Sequence, residues 1–218
     1  MADIFPSSTL HAVFNKPAIV LMFSGGADST AALYRLLTDA SFEGYEIHSH
    51  HIHFINTENR MSAERDAVLK IYEYLKPRAT RPFSFSESVV GIPALAYQNL
   101  FDNDVSKFAG GWFATQEAVR YVAYGVTVDD DLEFNIQEDR ITRGNAIFGL
   151  FSNKEKLAYP VRHMSKKECW DSMPPELRAL TWSCRTPQYD AGGKPLVCGH
   201  CKSCRAMEKI LQEEQTRT

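Results

Sequence analysis

Ala18-Ile19-Val20-Leu21-Met22-Phe23 runs directly into Ser24-Gly25-Gly26-Ala27-Asp28-Ser29-Thr30. The six apolar residues read as a buried strand, which empties into a glycine-rich turn that opens a helix. Paired glycines let the backbone turn sharply and bring N–H groups close to an anion, because no Cβ intervenes. The following helix, expected from Asp28 to about Thr38, aims its N-terminus at the same place. That adds roughly half a positive charge and several unpaired donors. Ser24, Ser29 and Thr30 supply hydroxyls. The stretch Phe23 to Thr30 therefore reads as a phosphate cradle, although the Gly-Lys-Ser/Thr ending of a P-loop is absent. An ordinary strand–turn–helix joint, with Asp28 or Ser29 as N-cap, is the alternative. The convergence of strand, glycines, hydroxyls and acid favours the cradle.

The rest of the chain sets limits around that element. At 218 residues it accommodates one α/β domain with an appendage, with a core large enough to need no disulfide staples. A net charge of −3 and the lack of a basic run argue against a nucleic-acid partner. Residues 1–15 lack the charged start and apolar centre of a signal peptide. No apolar stretch approaches the ~18 residues of a membrane span, so a cytoplasmic protein with no membrane partner is expected. In that compartment five cysteines read as metal ligands or inert thiols.

Strand, turn and helix alternate over the first 150 residues or so, which predicts a doubly wound parallel sheet with helices on both faces. Expected strands are 18–23, 46–55, 81–85 and 123–128, with helices over 62–75 and 112–121. Ser165 as N-cap with Glu168 at the capping-box position marks another helix. A last helix is expected near 203–214, its docking stripe formed by Ala206, Met207, Ile210 and Leu211. The expected organisation is a nucleotide-binding domain over 1–160 and a C-terminal metal-binding segment over 161–218.

Cys198-Gly199-His200-Cys201-Lys202-Ser203-Cys204 places three thiols at C-x2-C-x2-C spacing, and Cys184 precedes them across a loop rich in glycine and proline. Four thiolates on such a loop suit a closed, structural Zn²⁺ site. An iron–sulfur cluster accepts the same spacing. Zinc is favoured because nothing else in the sequence suggests redox chemistry. His200 falls between two ligand positions and is expected to point away, and Cys169 is expected to pack in the core.

These motifs carry a resemblance. The string from Ser24 to Thr30 matches S-G-G-x-D-S-[ST], the PP-loop of the N-type ATP pyrophosphatases. Together with Thr181-Trp182-Ser183-Cys184 and the tail Cys198 to Arg205, it resembles the 7-cyano-7-deazaguanine synthase family. Pro160, Ser165-Lys166-Lys167-Glu168, Arg60 and Glu64 fall where that family has similar residues. The resemblance implies an adenine nucleotide alpha hydrolase-like fold and an ATP-dependent ligase. Its substrate would be 7-carboxy-7-deazaguanine or a close analogue, activated by ATP and converted with ammonia to the nitrile. The implied cofactors are ATP, Mg²⁺ and Zn²⁺, and a homodimer is left open.

The middle of the chain departs from the family. Phe108-Ala109-Gly110-Gly111-Trp112-Phe113 stands where the family has a Pro-x-Arg-Asn turn. Asp129-Asp130-Asp131-Leu132-Glu133-Phe134 stands in place of its substrate segment. The expected catalytic residues are Ser24, Asp28 and Lys166, with Asp28 on Mg²⁺ and Lys166 on phosphate, Lys167 close behind. Phe54, with Ile55 and Asn56, is expected to cover the adenine, and Asp129 to Asp131 to serve Mg²⁺ or substrate amino groups. His48 and His50 share one strand face and His51 and His53 the other, so the four cannot converge on one ligand. Trp112 and Phe113 are expected in the core or stacked on a heterocycle. Two other functions compete: a tRNA-modifying PP-loop enzyme and a non-catalytic nucleotide-binding protein.

Overall fold

The computed structural model describes residues 14–91, 98–132 and 137–216. Its centre is a five-stranded sheet in the order β3-β2-β1-β4-β5, with every pairing parallel. β1 (Ala18–Met22) is fully buried, as a central parallel strand must be. β2 (Glu46–Ile55) and β3 (Phe83–Gly91) extend the sheet on one side. β4 (Val119–Tyr124) and the short β5 (Leu157–Ala158) extend it on the other.

Helices cover both faces. One face of the sheet packs on α1 (Ala27–Thr38) and α2 (Met61–Leu75) around Ile19, Leu21, Leu33, Leu36, Val68 and Ile71. The same cluster takes in Cys169 and Trp170 of α6 (Lys166–Asp171), Leu177 and Ile210. The other face packs Val20, Met22, Phe54 and Val122 against α3 (Gln98–Ala114) and α5 (Gln137–Gly149), which contribute Ala114 and Phe148. α4 (Val128–Leu132) is a short turn after β4, and α7 (Pro175–Arg178) begins at a proline pair. A small antiparallel hairpin of β6 (Gln188–Tyr189) and β7 (Pro195–Leu196) leads to α8 (Lys202–Gln215). Among the described residues no helix is long and apolar enough to cross a membrane.

β1, α1, β2, α2 and α8 lie within a residue or two of the positions expected from periodicity, and the capping box of Ser165 and Glu168 is present. The centre of the chain differs. The helix expected over 112–121 lies at 98–114, and the fourth strand begins at Val119 rather than Ala123. The cause is Gly110-Gly111, which punctuates a sequence but here lies inside a helix. A Cβ on Gly110 would stand 2.2 Å from Tyr124 Oη, and one on Gly111 3.0 Å from the Phe151 ring. The two glycines are a close-packing surface for α3 on β4 and the end of α5, not a turn. β3 also runs to Gly91, well past the expected end at Phe85.

Candidate functional site

In a doubly wound sheet, ligands settle outside the carboxyl ends of the strands where the strand order reverses. Here that point lies between β1 and β4, the first of which leads to the Ser24–Thr30 loop and the second to Gly125–Asp130. Gly125 packs against the first turn of α1, where a Cβ would lie 2.5 Å from Ser29 Cα and 2.6 Å from its nitrogen. That contact brings the two loops together, and only a glycine permits it.

Within the first loop Gly25 adopts φ +76°, and a side chain there would also strike Val68 of α2. Hydroxyls hold three of the loop's N–H groups through long contacts. Ser24 N–H donates to Ser29 Oγ at 3.3 Å, Gly26 N–H to Ser24 Oγ at 3.4 Å, and Ala27 N–H to Ser183 Oγ at 3.3 Å. Ser29 and Thr30 are buried and both donate to the Gly26 carbonyl, which leaves Ser24 as the exposed hydroxyl of the three. Phe23 is buried under the loop, its N–H donating to His50 O and its carbonyl accepting from His51 Nδ1.

Lys166 projects from the first residue of α6 into the gap between the loops. Its Nζ donates to Asp28 Oδ2 at 2.7 Å and to Asp130 Oδ1 at 3.0 Å, and its backbone N–H donates to Asp129 Oδ2 at 2.6 Å. Thr127 fixes Asp130 through its N–H and its hydroxyl. Burial works against the Lys166 charge, but Asp28 and Asp130 outweigh it and hold the ammonium above its ordinary pKa. Asp28 is pushed up by burial and by the neighbouring Asp130 and Asp129, against the pull of Lys166. Asp28 and Asp130 on the ammonium and Asp129 on the backbone N–H of Lys166 make the site rich in carboxylate oxygens, a composition that suits a divalent cation. Lys167, by contrast, pairs with Asp171 on its own helix at 2.5 Å.

A second charged cluster stands at the end of β2. Arg60 Nε donates to Glu58 at 2.6 Å, and its other nitrogens reach Glu64 and Asp102. Arg185 adds contacts to Glu58 at 3.0 Å and Asp102 at 2.7 Å. Phe54 is buried beneath it with the Arg60 guanidinium over its ring. Asn56 is occupied with Glu58. Of the surface expected to cover an adenine, Phe54 is thus packed in the core, Asn56 is half-buried and only Ile55 is exposed.

The β2 histidines are all buried. His48 and His50 share one face and bond in file to β3 hydroxyls: Ser84 to His48 Nδ1 (2.8 Å), His48 Nε2 to Ser86 (2.7 Å), Ser86 to His50 Nδ1 (2.7 Å) and His50 Nε2 to Ser88 (3.0 Å). On the other face His51 holds the Phe23 carbonyl and His53 contacts Glu87. Burial lowers His48 and His50 to about 4, and His51 to about 3. They are neutral structural groups.

Trp112 is 63% exposed near the end of α3, the helix that enters β4 at its amino end, so it stands at the sheet edge opposite the phosphate loop. Phe113 packs on the rings of His48 and His50. Glu133 and Phe134 lie outside the described residues, and Asp131 falls in α4.

The sulfurs of Cys184, Cys198, Cys201 and Cys204 lie within 4.8 Å of one another. Cys198 Sγ and Cys204 Sγ are 3.8 Å apart, which matches the edge of a tetrahedron with bonds of about 2.3 Å. Backbone N–H groups of Cys198, Cys201 and Cys204 donate to the sulfurs of Cys184, Cys198 and Cys201, an arrangement that favours thiolates. The donor set therefore fits one soft metal ion. His200 bonds instead to the Cys198 carbonyl, and Cys169 is buried in the core. The β6–β7 hairpin anchors this group, since Tyr189 Oη donates to Asn59 O at 2.7 Å beside α2.

The sequence reading missed Asp130 as a partner of Lys166 (it named only the acidic run), Gly125, and the contact of residues 182–183 with the loop. The signal for Gly125 was a glycine directly after an apolar strand.

The fold and the loop define the class: a PP-loop, adenine nucleotide alpha hydrolase-like α/β fold with a C-terminal four-cysteine group able to bind a metal. Among solved structures the chain is similar to the U34-tRNA thiolase NcsA from Methanococcus maripaludis, determined with its 4Fe-4S cluster. The two share 16% identity at a TM-score of 0.53, over 92% of this chain and 65% of the thiolase. At that identity the likeness establishes the fold alone, and this chain spans less than two thirds of the thiolase's length. No protein-family model matches the chain, and no curated protein matches it in sequence.

Proposed function

We propose that the chain is an ATP-dependent carbon–nitrogen ligase acting on 7-carboxy-7-deazaguanine or a close analogue, with ammonia as the second substrate. The observation that carries this reading is the meeting of the Ser24–Thr30 loop with Lys166, Asp28 and Asp130 at the strand-order reversal. The substrate carboxylate would attack the α-phosphorus of ATP and expel pyrophosphate. Ammonia would then attack the acyl carbon, AMP would leave and a proton would be lost, giving the amide. In a second round the amide oxygen would take AMP from another ATP, and loss of AMP with two protons from nitrogen would give the nitrile.

In this reading the chain acts mainly by position and charge. The N–H groups of Ser24 and Gly26, now resting on hydroxyls at 3.3 and 3.4 Å, would exchange those weak contacts for oxygens of the departing pyrophosphate. Asp28 and Asp130 would hold Mg²⁺, which offsets phosphate charge, and Lys166 would complete the phosphate contacts. The four cysteines would hold a structural Zn²⁺, since four ligands close a tetrahedron and leave no open position for chemistry.

A second reading is a tRNA-modifying enzyme with an iron–sulfur cluster, supported by the fold shared with the thiolase and by the same four thiols. The net charge of −3 weighs against it. Elemental analysis separates the metals: about one zinc per chain is expected, and iron with visible absorbance would favour the thiolase reading. The activity test incubates the protein with ATP, ammonium and 7-carboxy-7-deazaguanine and follows the products by mass spectrometry. AMP and loss of carboxyl oxygen are the expected products; ATP left intact by the zinc-loaded protein would overturn the proposal.

A further inference from the structure

Four consecutive residues, Trp182 to Arg185, each engage a different part of the molecule. Trp182 N–H donates to the Gly25 carbonyl at 2.9 Å. Ser183 Oγ accepts from Ala27 N–H at 3.3 Å. Cys184 is one of the four convergent thiols. Arg185 is held by Glu58 and Asp102. The segment lies directly on the phosphate loop, for a Cβ built on Gly26 would stand 3.6 Å from both Ser183 Oγ and Trp182 O. Neighbouring Cα atoms along a chain are about 3.8 Å apart, so no flexible spacer separates the metal ligand from the loop contact.

We propose that Ser183 is a positioning residue that couples the four-cysteine group to the phosphate loop, so that filling the metal site raises the loop's affinity for nucleotide. The proposal rests on the nucleotide-binding reading above. The physical argument is one of shared order. Gly25 holds its left-handed conformation with its carbonyl accepting from Trp182 N–H, so the turn and residues 182–183 are fixed together. The chain from 182 to 185 is fixed only when its anchors are. Arg185 supplies one anchor and the thiols supply the other once an ion joins Cys184 to Cys198, Cys201 and Cys204. With the ion in place the ordering of residues 182–183 is already complete when nucleotide arrives, so binding does not have to supply it. Without the ion that ordering is charged against nucleotide affinity.

Linkage makes the effect reciprocal: nucleotide must tighten metal retention by the same factor that metal tightens nucleotide. The test compares three preparations: metal-loaded protein with its content measured by elemental analysis, the chelated protein, and metal-loaded Ser183→Ala. Calorimetry with magnesium pyrophosphate and with a non-hydrolysable ATP analogue gives Kd for each. Circular dichroism reports the fold. Both the chelated protein and Ser183→Ala should bind roughly five- to a hundredfold more weakly, the usual span of such couplings. Ser183→Ala should keep its metal and its melting temperature. Competition with a chelator, with and without the ATP analogue, should show metal retention strengthened by a matching factor in the wild type and far less in Ser183→Ala.

Equal affinity in the loaded wild type and Ser183→Ala would overturn the proposal. So would tighter binding by Ser183→Ala, which would make the hydroxyl a competitor for Ala27 N–H. If the chelated protein unfolds, the Ser183→Ala comparison alone decides. Failure of the loaded wild type to bind either probe would overturn the nucleotide reading itself, and the coupling with it.

Discussion

The phosphate loop and the histidine file sit on adjacent strands, with Met22 at the end of β1 paired to His50 of β2. Both are dense in hydroxyl and nitrogen groups, yet they use them in opposite ways. In the file every imidazole nitrogen of His48 and His50 meets a serine hydroxyl of β3 at 2.7–3.0 Å, and both rings are buried. In the loop the Ser24, Ser29 and Thr30 hydroxyls bond one another or the Gly26 carbonyl at 2.8–3.1 Å. The N–H groups of Ser24, Gly26 and Ala27, however, make only long contacts to hydroxyls, at 3.3–3.4 Å, and Ser24 is exposed. Polar residues mark a ligand site where their hydrogen-bonding capacity is not already absorbed by neighbours. Where it is absorbed, they are part of the core.

Acid should separate the two regions most sharply. Burial holds His48, His50 and His51 at about 4, 4 and 3, below the ordinary 6.5 they regain on unfolding. Their folded pKa values are depressed, so their contribution is complete above pH 6.5 and is lost as pH falls toward 4. Three such groups give a slope of about 4 kcal/mol per pH unit in that window. Denaturant midpoints measured from pH 7 to 4.5 should fall steeply, and a flat profile would show that the rings are not neutral and buried.

Asp28→Ala comes next, and it strikes the loop while sparing the file. AMP release should drop about 10²–10³-fold, the usual scale for losing one preorganised electrostatic contact. The melting temperature should hold, since Asp28 is partly exposed. Unchanged AMP release would break the assignment of the loop.

Ser86→Ala reverses the pattern. It leaves one nitrogen on each of His48 and His50 without its partner, at about 1–3 kcal/mol apiece. Thermal unfolding should shift down by several degrees while AMP release per folded molecule stays unchanged. A smaller effect still is expected of Lys167→Ala, which removes an exposed i,i+4 pair with Asp171 worth about 0.3–0.5 kcal/mol. A large loss of nucleotide affinity there would place Lys167, rather than Lys166, on the phosphates.

How far the sequence could be read depended on whether the signal was local. β1, the loop, α1, the Ser165 capping box and the Cys198–Cys204 run are each set within about a dozen residues, and each lies where the pattern put it. The α3–β4 region was misplaced because Gly110 and Gly111 make sense only against Tyr124 and Phe151. Phe54 looked like a ligand wall from its place at a strand end, but only the tertiary structure shows Arg60 closing over it. The Lys166–Asp130 contact and the Ser183–Ala27 contact join residues far apart in the chain, and no periodicity announces them.

The file across β2 and β3 has one more property. A neutral imidazole carries a single ring proton and a hydroxyl gives one, so, with the Ser86 proton kept inside the file, the arrangement with one proton in each of its four contacts exists in only two senses. In either sense both rings are protonated on the same-named nitrogen, Nε2 in one and Nδ1 in the other. The tautomer of His48, read by nitrogen chemical shift, therefore dictates that of His50, and reversing one requires all five side chains to turn over together.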